Sequence, residues 1–99
     1  MKKRMIDPPS QEDINEGICL KQEELTFERK AFSRTVRWQD WGYRAWCERK
    51  VVAEASYKGI WRKLKEVGKT LGFPRIFEVN DHGNVTEFSY TGKVVGEWV

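Results

Sequence analysis

Ninety-nine residues bound the chain to one domain with a modest core and little room for a deep, rigid cleft. Hydrophobic residues make up 39% and charged residues 33%, while aromatics reach 13%, too rich for a disordered polymer. The net charge is +3 and uneven: residues 44–69 hold eight Lys/Arg against three Asp/Glu, so the basic character lies in the middle of the chain. Five Trp beside few large aliphatic residues predict that some indoles lie at the surface, where Trp, Tyr and Arg dominate binding contacts. The alternative is that all five are packing groups. The two cysteines, Cys19 and Cys47, read as small buried hydrophobes in a reducing compartment. No apolar run follows Met1–Arg4, and none nears the roughly 18 residues of a membrane span, so a soluble, cytoplasmic protein is expected.

In chain order, residues 1–9 read as a flexible tail and residues 10–99 as a single compact domain. Ser10 is a helix N-cap candidate with Glu12 and Asp13 in the first turn, and Gly17 is a stop. Residues 20–36 carry two periods. Leu25, Phe32 and Val36 fall at helical offsets among helix-forming Gln, Glu, Lys and Arg, whereas Leu25, Phe27, Arg29 and Ala31 alternate as in a strand. With no turn dipeptide to interrupt, the expectation is a helix, with a strand as the alternative.

Residues 38–71 predict helix. Trp38, Trp41, Ala45, Val52 and Ala55 are spaced three, four, seven and three apart, and Ile60, Leu64, Val67 and Leu71 continue the pattern. Gly42 is an awkward interior residue that would suit a close helix crossing. Ser56–Gly59 is a possible break into two helices, and Gly72-Phe73-Pro74 a firm stop. From Ile76 the period becomes two. The cluster Asp81-His82-Gly83-Asn84 predicts a β-hairpin, and Val94–Val99 a third strand. The fold class expected is therefore α+β: two or three helices packed on a small C-terminal antiparallel β-hairpin or three-stranded sheet.

Catalytic and metal chemistries find little footing. Cys19, Cys47 and His82 lack the spacing of a zinc site, and the lone His falls in a turn. Adjacent carboxylates such as Glu23/Glu24 point about 100° apart on a helix. Gly68-x3-Gly72 lacks the Lys-Ser/Thr end of a phosphate loop. No enzyme, cofactor, metal or small-molecule substrate is expected.

What remains is basic and aromatic interleaving: Arg34, Arg37, Trp38, Trp41, Tyr43, Arg44, Trp46 and Arg49, then Lys58, Arg62, Lys65 and Lys69 at helical spacing opposite Ile60, Leu64 and Val67. Cations on one helix face can neutralise phosphates while rings stack on bases. The same groups can dock on an acidic protein, or simply be a solvated face. The expected binding set for nucleic acid or a partner is Arg37, Trp38, Arg44, Trp46, Lys58, Trp61, Arg62, Lys65 and Lys69. The function expected is a non-catalytic small binding protein of nucleic-acid metabolism that contacts DNA or RNA through this basic, Trp-rich helical surface. The alternative is an adaptor or inhibitor, of the kind phage and mobile elements carry, that modulates a host protein.

Overall fold

A computed structural model describes residues 7–99. Of the expected tail, residues 1–6 lie outside the described residues; residues 7–9 have no regular structure. Two helices and six strands follow among the described residues: α1 (Gln11–Glu16), β1 (Ile18–Ala31), β2 (Arg34–Cys47), β3 (Lys50–Ala55), α2 (Gly59–Leu71), β4 (Ile76–Val79), β5 (Val85–Phe88) and β6 (Val94–Trp98). The strands form one mixed sheet in the order β3-β2-β1-β4-β5-β6, with β1 and β4 parallel and the other neighbours antiparallel.

The expected helices over 20–36 and 38–55 are thus overturned, and with them the picture of helices on a small C-terminal sheet. The protein is mostly one six-stranded sheet with two short helices. The reason is physical. Two-residue turns at Phe32-Ser33 and Glu48-Arg49 connect β1 to β2 and β2 to β3. All four residues take positive φ (52°, 69°, 49° and 71°), the arrangement that matches strand twist and favours Asn-Gly. None is Gly, Asn, Asp or Pro, so no turn chemistry marks the two reversals. Long-range pairing of β-branched and aromatic positions then outweighs a weak local preference for helix.

Other readings match the structure. Ser10 caps α1 reciprocally with Asp13, and Gly17 ends it. Gly72 closes α2 at φ 81°. β4 and β5 pair around the 81–84 turn, and β6 adds the third strand. The core is Ile18, Leu20, Ala45, Ala53, Ala55 and Ile76 of the sheet under Ile60 and Leu64 of α2. On the opposite face Phe77 is fully enclosed, and a Cβ at Gly17, just after α1, would lie 2.8 Å from its ring. No helix among the described residues is long and apolar enough to cross a membrane.

One feature sets the shape. β1 pairs with β4 only at Ile18–Leu20, and β2 pairs with β3 only from Tyr43 onward. Residues 23–31 and 34–42 therefore continue alone as a two-stranded ribbon, nine residues on each strand. At about 3.3 Å per residue the ribbon reaches roughly 30 Å from the body. It accounts for the molecule's extents of 63 × 29 × 27 Å.

Candidate nucleic-acid interface

Alternation in the ribbon sorts its side chains differently from a helix. In register, Trp38 lies opposite Phe27 and Trp46 opposite Cys19, on one face; Trp41 lies opposite Glu24 on the other. Trp38 and Trp41, neighbours at helical spacing, are parted, and Trp38 and Trp46 are brought to the same side. Trp38 stacks on Phe27 with ring centroids 5.6 Å apart and stays 42% exposed; Trp41 is 56% exposed.

The ribbon's far end is of one sign. Residues 29–37 contain Arg29, Lys30, Arg34 and Arg37, all exposed, and no acid. Among the described residues only Arg37 is tied, to Glu28 across the strands at 2.9 Å. At the apex Phe32 is 99% exposed, a ring held out in water on a left-handed backbone. Such a conformation costs a non-glycine residue about 1–2 kcal/mol.

A second basic group stands at the ribbon's base. Ser56 Oγ accepts from Gly59 N–H as α2 begins. Tyr57 donates to Gln22 of β1, and its ring packs edge-on against Tyr43 at 5.0 Å. The N-terminal end of α2 is thereby fixed beside the root of the ribbon. Ile60, Leu64 and Gly68 turn inward, while Lys58, Arg62, Lys65 and Lys69 are exposed. Lys69 pairs with Glu66 at 3.4 Å; Lys58, Arg62 and Lys65 have no side-chain partner among the described residues. The helical stripe is present as spaced, although the helix that carries it starts only at Gly59.

The remaining expected residues are occupied elsewhere. Arg44 bridges Glu23 of β1 and Glu54 of β3, so its charge is matched within the sheet. Trp61 is half-buried between Tyr43 and Phe88, with centroids 6.1 and 5.2 Å away, and covers Gly92. Trp46 is half-buried beside Cys19 and Arg49, its indole N–H enclosed with no acceptor among the described residues. Cys19 and Cys47 are free and half-buried. Burial raises both thiol pKa values, helped by Cys47 for Cys19 and by Glu48 for Cys47. Thiols held protonated in this way are poor nucleophiles.

Three members of the tip cluster, Arg29, Lys30 and Phe32, escaped the sequence reading. The signal that would have found them is the alternation of Leu25, Phe27, Arg29 and Ala31, which as a strand leads straight into Phe32. The chain matches no family model, and no curated protein or solved structure matches it.

Proposed function

We propose that this chain is a non-catalytic binding protein that holds duplex DNA through its phosphates, using the ribbon tip and the exposed edge of α2. The observation that carries the reading is the single-sign tip: Arg29, Lys30, Arg34 and Arg37 with no acid between them, displayed on a projecting two-stranded ribbon. A two-stranded ribbon can lie in a groove of B-form DNA, where its cations reach phosphates on either rim. Lys58, Arg62 and Lys65 stand at the root, roughly 30 Å away, close to one turn of duplex, so both clusters can touch backbone on the same side. The two free thiols suit a reducing compartment, in line with an intracellular role.

Binding of this kind releases counterions. With about six phosphates neutralised by Arg29, Lys30, Arg34, Lys58, Arg62 and Lys65, affinity should fall roughly 1,000-fold between 50 and 200 mM salt. Replacing Arg34 by Gln should flatten the slope of log K against log salt by about one unit. Fluorescence anisotropy on a labelled duplex measures both, and an affinity indifferent to salt would overturn the reading.

A protein partner is the competing reading. The outer edge of β6, where Val94 and Val95 face water, favours it, since an open strand edge can accept another strand. Stoichiometric recovery of one protein from nuclease-treated lysate, with no duplex binding, would put this reading in place of the first.

A further inference from the structure

Phe32 is the most exposed aromatic ring of the described residues, and it occupies the worst position for a merely structural phenylalanine. Its φ of 52° and that of Ser33, 69°, belong to a turn that Asn-Gly would make without strain. The ring makes no contact that would offset the strain, being 99% exposed. The turn at Glu48-Arg49 uses the same backbone with two polar residues, so geometry does not call for an aromatic there. An unfavourable residue at a conspicuous apex points outward, to a ligand.

The size of the apolar feature decides which ligand. A stable protein contact buries about 800 Å² on each side. One ring on an otherwise cationic and polar tip (Arg29, Lys30, Ser33, Arg34) falls far short of that. A gap between two base pairs needs only one flat apolar group, and the phosphates flanking it need cations on both sides. β1 supplies Arg29 and Lys30 on one side of Phe32, and β2 supplies Arg34 on the other.

We infer that Phe32 is a wedge that enters the minor groove of duplex DNA, inserts its ring between adjacent base pairs and kinks the helix. The inference rests on the reading of the chain as a duplex-DNA binder. Arg29, Lys30 and Arg34 anchor the tip on the groove's two phosphate rims, and pyrimidine–purine steps, the easiest to unstack, are the preferred sites. The deep, narrow major groove and shallow minor groove of duplex RNA offer no equivalent entry.

The test uses the full chain and a DNA duplex of about 30 base pairs with a dye at each end and 2-aminopurine beside a central TA step. Saturating protein should shorten the end-to-end distance and brighten the 2-aminopurine. Phe32→Asn, which suits the turn and so keeps the fold, should abolish both changes while holding affinity within about tenfold and leaving the salt slope intact. Phe32→Trp should restore both. Wild-type binding without bending or unstacking, equal bending by Phe32→Asn, or equal bending of an RNA duplex would overturn the wedge and leave phosphate binding standing. Absence of any salt-dependent duplex binding would overturn both.

Discussion

Gly42 shows how one missing side chain lets the ribbon join the body. It sits in β2 just where the ribbon begins, and a Cβ there would lie 2.5 Å from the Ala55 carbonyl oxygen and 3.0 Å from Leu25. Leu25 is itself only 3% exposed, so neither neighbour yields easily. Gly42→Ala should destabilise the fold by about 1–3 kcal/mol, through overpacking at the end of β3. Urea unfolding followed by Trp fluorescence measures it, and a change near zero would mean the root tolerates a methyl group. A close approach was legible in the sequence, because glycine inside a regular element invites one. Which element approached was not, since helix and strand both admit that explanation. Arg44 was misleading for a related reason: in sequence it is one cation among many, and only strand pairing brings Glu23 and Glu54 to its sides.

Among the elements, legibility follows turn chemistry. α1, the end of α2 and the β4–β5 hairpin were readable because Ser10, Gly72 and the 81–84 cluster each mark a boundary by their own conformational preferences. The two long strands were not readable, because their turns use Phe, Ser, Glu and Arg. The basic stripe of α2 survived this error, since Arg62, Lys65 and Lys69 lie within the thirteen-residue helix and Lys58 is its N-cap, already in the right-handed helical conformation. A two-stranded ribbon is marginal by itself and relies on cross-strand pairs. Phe27 on Trp38 and Glu28 with Arg37 are those pairs here. Trp38→Ala should cost about 0.5–1.5 kcal/mol. It should act locally, speeding amide exchange in residues 23–42 while Leu20 and Ala45 keep their protection. Uniform loss of protection across the sheet would contradict a separately stabilised ribbon.

For the whole molecule, the sheet is assembled around a parallel seam of only three residue pairs, Ile18–Leu20 beside Ile76–Glu78. β3, α2 and β4 form a crossover that passes over β2 and β1 and lays the C-terminal meander against the first strand. The core under α2 lies wholly at this body end. The body should therefore fold without the ribbon. Deleting residues 26–39 and joining Leu25 to Asp40 through Asn-Gly keeps the strand register. It should leave the thermal transition within a few degrees of the parent, because a surface truncation alters little of the buried area. DNA affinity should fall to what α2 alone provides. Collapse of the fold would show that the ribbon is structural, and unchanged affinity would move the binding surface to the helix.

The ribbon is also a lever. Its fulcrum is the crowded junction of Gly42, Leu25 and Ala55, and its free end carries the exposed ring. On an arm of roughly 30 Å, a rotation of about 10° at the fulcrum becomes roughly 5 Å of travel at the tip. Aim is thus governed far from the point of contact, and substitutions at the junction should scatter where the tip lands before they weaken how firmly it holds.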